Sequence, residues 1–369
     1  FFMNHLRATR SLSLQEEWSK KARPHQRRIR TYTRTSMPRT WRLRKRPEGP
    51  IKDTDLEMCD EPKPAAEDGQ LIVKNIYISV DPTHRIWMSD KAQYMPKVEI
   101  GEVMRAVTVG VVEESTNPAF PVGCHVVGFG GCADYYVGIP GVNVMYKAGE
   151  CGKDLPLTAD LSVCSFVIGL TAWHGTNKIL APGPDDIVVV SGAAGAVGSL
   201  VGQLSKLKGA KVIGIAGSDV KCAYLKSELG YDCVINYKSQ DVGKEIAAFA
   251  PEGITGYFDN VGGSVTDAVL MNARNNCKIA VCGSISEYDD KWAGQKNFNM
   301  ILMRRISIKG FICMDHMDEL AEAKSELALL VAEGKIKYSE DIREGLETYP
   351  ATVRLLLSGD NTGKLILKV

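Results

Sequence analysis

Residues 71–80, LIVKNIYISV, alternate and are rich in β-branched side chains, the pattern of a strand with one buried face. From Val98 to Val137, short Val-rich runs are broken by Gly and Pro, which predicts a compact antiparallel, barrel-like region. The texture changes near Leu157. Apolar runs at 187–191 (IVVVS), 211–216 (KVIGIA), 232–236 (DCVIN), 256–261 (GYFDNV), 277–283 (CKIAVCG) and 306–312 (ISIKGFI) alternate with amphipathic stretches such as Gly198–Lys208 and Lys221–Leu229. Strands alternating with helices imply a parallel, doubly wound sheet. An amphipathic helix is expected over 318–334 and a last strand over 364–369, KLILKV.

The fold class is therefore α/β: a β-rich, barrel-like domain plus a Rossmann domain with a doubly wound parallel sheet. We expect the first over residues 37–157 and 315–369, and the second over 158–314. The chain has 369 residues, 44% hydrophobic and 24% charged, an ordinary globular balance. No apolar run approaches the roughly 18 residues of a membrane span.

Net charge is +1 but uneven: residues 1–50 hold 14 basic and 3 acidic residues, which leaves 31 and 41 for the rest. Residues 1–36 are Arg-rich and acid-poor, loosely resembling an organelle transit peptide. The chain begins with Phe1, and Met37 is read as a start, with 1–36 expected outside the fold or absent from the mature protein. The arm lacks aromatic interleaving and any zinc-finger pattern, so no nucleic-acid partner is expected. Ten cysteines without repeated C-x-x-C spacing read as buried thiols in a reducing compartment, not as a disulfide framework or a structural zinc site. A cytoplasmic location follows, with organellar targeting by the arm as the alternative.

The chemistry begins at Ser191, where IVVVS runs into Gly192-Ala193-Ala194-Gly195-Ala196-Val197-Gly198 and then a helix. Small residues let backbone approach a pyrophosphate, and the helix N-terminus offers unpaired N–H groups. A glycine loop alone is a weak signal; strand, loop, helix and next strand in this order strengthen it. The second strand ends in Ala216-Gly217-Ser218, without the acid that holds the ribose 2′-OH in NAD sites. Lys221 suits a 2′-phosphate, which favours NADPH, although a solvated lysine at a helix start is the plain alternative.

These residues resemble the medium-chain dehydrogenase/reductase superfamily, in its zinc-free branch of prostaglandin reductases, leukotriene 12-hydroxydehydrogenases and alkenal double-bond reductases. The resemblance spans residues 37–369 and rests on SVDPTHR (79–85), GLTAWHG (169–175), SGAAGAVG (191–198), FDNVGG (258–263), VCGSISEY (281–288), IKGF (308–311) and GDNTGK (359–364), in order. It implies a GroES-like first domain and NADPH as cofactor. Ala194, Gly195, Ala196, Val197 and Gly198 match the pyrophosphate cradle. Gly217, Lys221 and Tyr237 match positions at the adenosine 2′-phosphate. Asn260, Cys282, Phe311, Ile312 and Cys313 match the nicotinamide side, and Asn361 matches a contact from the C-terminal return. Pro82 and Thr83 fall at another cofactor-contacting position. Tyr288 matches the tyrosine near the nicotinamide ribose that steadies an enolate; on sequence alone it reads equally as a core aromatic. The branch usually has D-P-Y-M-R where this chain has Asp81-Pro82-Thr83-His84-Arg85, so the pocket shape and preferred enone differ.

The zinc-dependent relatives' G-H-E is replaced by Ile100-Gly101-Glu102-Val103, and their cluster of four cysteines is missing. The adjacent pair Cys124-His125, with no further ligand nearby in sequence, reads as two barrel residues, so no metal is expected. The implied activity is NADPH-dependent reduction of the C=C bond of α,β-unsaturated ketones and aldehydes, by a homodimer acting on a small molecule. The alternatives are a quinone reductase of the same superfamily and a non-catalytic NADPH-binding protein.

Overall fold

The structure, a computed structural model, describes residues 37–152, 154–289 and 294–369; the basic arm 1–36 lies outside the described residues. Its central sheet has six parallel strands in the spatial order Cys233–Asn236, Lys211–Ala216, Ile187–Ser191, Ile254–Asp259, Ala273–Val281 and Ser307–Gly310. By order of appearance this is 3-2-1-4-5-6, the doubly wound arrangement. Within Ile187–Ser191 successive side chains leave by opposite faces. Val188 and Val190 join one core with Leu200, Val201 and Leu204 of the helix Ala196–Leu207. Val189 joins another with Ile213, Ile235, Tyr257 and Ile279. Both faces are covered, which is why the strand reads as an unbroken apolar run instead of an alternation.

The second large sheet has seven strands among the described residues and is built mainly from Leu71–Ser79, Thr108–Ser115, His125–Gly128, Tyr135–Gly138 and Val144–Lys147, paired antiparallel. Leu71–Ser79 ends one residue short of the expected span. The C-terminal strand Lys364–Lys368 returns to this sheet, antiparallel to Leu71–Ser79 and parallel to Glu340–Glu344. A two-stranded sheet, Arg39–Leu43 with Leu56–Asp60, completes the β structure. Among the parallel strands the ends differ from the sequence reading: Ala273–Val281 starts four residues before the expected 277, because Arg274, Asn275 and Asn276 are exposed and carry no apolar signal.

The return strand is pinned by charge. Lys364 and Asp81 are both buried, with Nζ 2.8 Å from Oδ1, and Lys364 also donates to the Val80 carbonyl at 2.9 Å. The Ser79 hydroxyl donates to the other Asp81 oxygen. Burial alone would raise the Asp81 carboxyl; Lys364, His84 and Ser79 together outweigh it and hold the group below its ordinary value. A depressed carboxyl contributes stability that is fully present above its unfolded pKa of about 4 and drains as pH falls through the folded value. Lys364→Met would leave a buried, uncompensated carboxylate, a change that costs about 3–5 kcal/mol. We expect a Tm lower by on the order of 10 °C at pH 7 by calorimetry, with the deficit narrowing below pH about 4 as Asp81 protonates. An unchanged Tm at pH 7 would show that the pair contributes nothing.

Candidate functional site

In open α/β sheets the ligand crevice lies beyond the carboxyl ends of the strands, where the strand order reverses. Here that point falls between Ile187–Ser191 and Ile254–Asp259, with Gly192 following one and Asn260 the other. Gly192 has φ +58°, a left-handed turn that few side chains tolerate. A Cβ on Gly198 would sit 2.4 Å from the Gly192 carbonyl oxygen, so only glycine lets the helix start this close to the loop. Gly195 caps the helix in extended conformation, and no side chain caps its first N–H groups. The loop therefore offers uncovered backbone donors at the positive end of a helix.

The C-terminal return reaches this loop. Gly195 pairs with Gly363, and the buried Asn361 donates from Nδ2 to the Gly363 carbonyl at 2.9 Å. Ala194 to Gly198 and Asn361, far apart in sequence, thus meet in one place. A loop of small residues, with glycine required at Gly198 and favoured at Gly192, and a helix terminus free of side-chain caps fit the pyrophosphate of a dinucleotide.

At the next strand end, an added Cβ on Gly217 would lie 3.0 Å from the Tyr237 ring, which places these two expected residues in contact. Ser218 caps the following helix, accepting from the Lys221 amide at 3.3 Å. The Lys221 ammonium donates to the Gly359 carbonyl at 2.6 Å. Burial, with Lys238 nearby, lowers its pKa, and Asp360 opposes them. Asp219, the first acid after the strand, is engaged by the Asn236 amide at 2.6 Å. Ser218 and Lys238 were not picked out in the sequence, although a serine before a helix and a lysine after Tyr237 were visible signals.

At the opposite end of the crevice, Asn260 is locked to the strand Ile187–Ser191: its Nδ2 donates to the Ser191 carbonyl at 2.7 Å and its amide to the Ser191 hydroxyl at 2.9 Å. Cys282 continues from the neighbouring strand, its amide bonded to the Asp259 carbonyl at 2.8 Å. Phe311 packs edge-on against Phe258, 6.1 Å between centroids, and Ile312 and Cys313 lead into the turn Cys313–Glu319. The Tyr288 hydroxyl accepts from the Ser284 amide at 3.2 Å, which leaves its own hydrogen to donate. Burial pushes the phenol up to about 12, the Cys282 thiol up to about 12 and the Cys313 thiol up to about 11.

Pro82 and Thr83 open the short helix Thr83–Trp87, and the Thr83 hydroxyl is buried without a hydrogen-bond partner. An unsatisfied buried hydroxyl is destabilising by about 1–3 kcal/mol, so its place here suits a group that a ligand meets. His84 belongs elsewhere. It is fully buried, stacked on Trp87 and 3.1 Å from the Tyr349 hydroxyl, and burial lowers its pKa to about 4. Of the two replaced positions, only Thr83 is left to shape a pocket. Arg85 is held by the Gly49 carbonyl at 3.1 Å and by Asp289 at 3.3 Å, which ties the Asp81–Arg85 turn to the residue after Tyr288. Tyr94, which no pattern in the sequence marked, is 44% exposed, yet partial desolvation of its hydroxyl, with Cys313, Tyr288 and Asp81 nearby, raises its pKa.

Comparison with known proteins decides the family. A model described as the N-terminal domain of oxidoreductase matches residues 39–145, and one described as zinc-binding dehydrogenase matches residues 196–329. The NADPH-dependent curcumin reductase of Escherichia coli is 35% identical over 338 residues, 90% of this chain and 96% of its own. Prostaglandin reductase 1 of Rattus norvegicus is 36% identical over 334 residues, 89% of this chain and 98% of its own. The chain belongs to the medium-chain dehydrogenase/reductase superfamily. Within it the likeness extends to the NADP-dependent 2-alkenal reductase of Nicotiana tabacum, 35% identical over 324 residues, 86% of this chain and 93% of its own. The crystal structure of CurA from Vibrio vulnificus in complex with NADPH superposes with a TM-score of 0.83 at 35% identity, covering 90% of this chain and 99% of that one.

For a superfamily member built this way, the charge at Lys221 should select the cofactor. The resemblance assigns Lys221 to the 2′-phosphate, and on that assignment Lys221→Glu should raise the KM for NADPH by at least about tenfold while changing that for NADH far less. Steady-state kinetics with both cofactors measures this. Equal catalytic efficiency of the wild-type enzyme with NADPH and NADH would refute the assignment.

Proposed function

We propose that this protein is an NADPH-dependent reductase of the carbon–carbon double bond of α,β-unsaturated ketones and aldehydes, working without zinc. What supports the reading is a glycine cradle and the Asn361 return at the strand-order reversal, with the neutral Tyr288 hydroxyl beside Gly283, next to the Asn260 that follows the neighbouring strand. In this reading residues 37–157 with 315–369 form the substrate domain and 158–314 the cofactor domain. The relatives' printed activities, on curcumin, prostaglandins and 2-alkenals, point to the enone class.

The cradle Ala194–Gly198 and Asn361 hold the pyrophosphate; Gly217, Lys221 and Tyr237 hold the adenosine 2′-phosphate. Asn260, Cys282 and Phe311 to Cys313 frame the nicotinamide, with Pro82 and Thr83 facing it. NADPH, when bound, supplies the hydride. As the β-carbon is reduced, negative charge grows on the carbonyl oxygen. Tyr288, kept protonated by burial and aimed by the Ser284 amide, donates a hydrogen bond to that oxygen. A donor already in place stabilises the transition state more than the ground state. No Lewis acid is required for conjugate reduction, which accords with the stretch Ile100–Val103 lacking a ligand histidine.

No helix among the described residues is long and apolar enough to cross a membrane. We place the enzyme in the cytoplasm, and as a homodimer. The edge strand Ser307–Gly310 is exposed along its whole length, and Phe298, Leu302, Met303 and Ile308 around it are exposed apolar side chains. An open edge with apolar surroundings is a template for pairing with a second copy. Sedimentation should find a dimer for the wild type and a monomer for Ile308→Lys; a monomeric wild type would sink this part.

The reaction is tested with NADPH and a panel of enones, followed by product analysis. A saturated ketone or aldehyde is expected, and an allylic alcohol would overturn the reading. Tyr288→Phe keeps the ring and removes the donor. Its kcat should fall by at least about tenfold with little change in NADPH binding, since a lost oxyanion donor costs roughly 100- to 1,000-fold and water replaces it in part. An unchanged kcat would remove Tyr288 from its role.

A further inference from the structure

Two imidazoles and a carboxylate meet beside Phe311, and none of the three has a part in the proposed reaction. His174 is buried at the end of the helix Gly169–His174. His316 and Glu319 come from the turn Cys313–Glu319, which runs on from the segment assigned to the nicotinamide. A ring nitrogen of each histidine and a Glu319 oxygen all lie within 4.8 Å of one another. His174 Nδ1 is 2.7 Å from Glu319 Oε2, and the two imidazoles stack at 3.6 Å between centroids, 21° apart in plane. His174 Nε2 is buried without a hydrogen-bond partner.

We propose that His174, His316 and Glu319 form a binding site for one zinc-like divalent transition-metal ion, with water completing its coordination. Two imidazole nitrogens and one carboxylate oxygen are a ligand set that zinc takes when it keeps an open position. The local backbone explains the spacing. The 3₁₀ run is broken at His316, and the kink brings its ring onto His174 while Glu319, three residues on, reaches the same imidazole.

Zinc bonds of about 2.0–2.2 Å require tetrahedral ligand atoms about 3.3 Å apart. The present contacts, from 2.7 Å up to 4.8 Å, therefore need adjustment on the order of 1 Å. His316 is placed to give it. Its φ of −127° and ψ of 28° interrupt the helical run, and it is half-buried, whereas His174 is fixed inside the helix. A bound ion would join two segments 145 residues apart. Phe311, 5.5 Å from the His174 ring, would be steadied with them.

The test uses the full-length chain, stripped with a chelator and titrated with Zn2+ by calorimetry and with Co2+ by visible absorption. We expect one saturable equivalent per chain, cobalt bands of tetrahedral intensity, and a Tm raised by about 5 °C at saturating zinc. His316→Ala should weaken zinc by at least about tenfold and abolish the Tm rise, while metal-free Tm and kcat stay as in the wild type. Glu319→Gln should also weaken binding; if it fails to fold, His316→Ala decides alone. No saturable binding, or equal binding by wild type and His316→Ala, would overturn the proposal. Neither result bears on enone reduction, which the metal-free enzyme performs.

Discussion

Lys364 and Asp81 belong to segments 283 residues apart, yet one buried ion pair between them organises both ends of the crevice. From Lys364 the chain leads back to Gly363 and Asn361, which lie against the glycine loop. From Asp81 it leads forward to Thr83, whose hydroxyl lacks a partner, and to Arg85, which reaches the residue after Tyr288. The same contact thus sets the C-terminal return against the glycine loop and the Asp81–Arg85 segment against the stretch that carries Tyr288. Burying two charges is expensive, and only their mutual attraction with the Val80 and Ser79 hydrogen bonds offsets it. Such a pair is weak evidence for net stability, but it penalises any register that separates its members.

The parallel sheet was readable in the sequence because its chemistry is local. Ile187–Ser191 and Lys211–Ala216 are unbroken apolar runs, and the strands start and stop where those runs do. The glycine loop was readable for the same reason: steric demand at Gly192 and Gly198 is set by a strand and helix adjacent in sequence. Lys221 stood out as the first cation after a strand end without an acid, whereas Tyr237 and Asn361 needed the family resemblance, since no local rule marks a tyrosine at the third strand's end or says that the C-terminus returns.

What stayed hidden depends on contacts between distant segments. His84 looked like a polar pocket residue because its nearest chain neighbour, Thr83, is one; only the packing of Trp87 and Tyr349 shows it to be core. Tyr94 sits in a stretch without periodicity, and Arg85–Asp289 joins a short helix to a loop 204 positions away. The trio of His174, His316 and Glu319 was equally silent. A lone histidine at the end of an apolar helix carries no sign of a second one arriving from a turn near the other end of the chain.

The electrostatics around Tyr288 bear on which reaction this site favours. Tyr288, Cys282 and Cys313 are all pushed up by burial and stay neutral at physiological pH. Of the formal charges nearby, Asp81 is paired with Lys364 and Arg85 with Asp289, whereas the buried Asp259 carboxylate is satisfied by hydrogen bonds from Tyr257, Thr266 and the Val261 and Gly262 amides. The side chains beside Tyr288 are thus a neutral phenol and neutral thiols. Reducing a carbonyl directly would put full alkoxide character on its oxygen, a demand met elsewhere by a cation. An enolate spreads its charge over oxygen and carbon, so one oriented O–H in a poorly screened site meets the smaller need. The same neutrality suits an apolar enone, whose carbon chain gains by leaving water and offers nothing to pair with a buried charge.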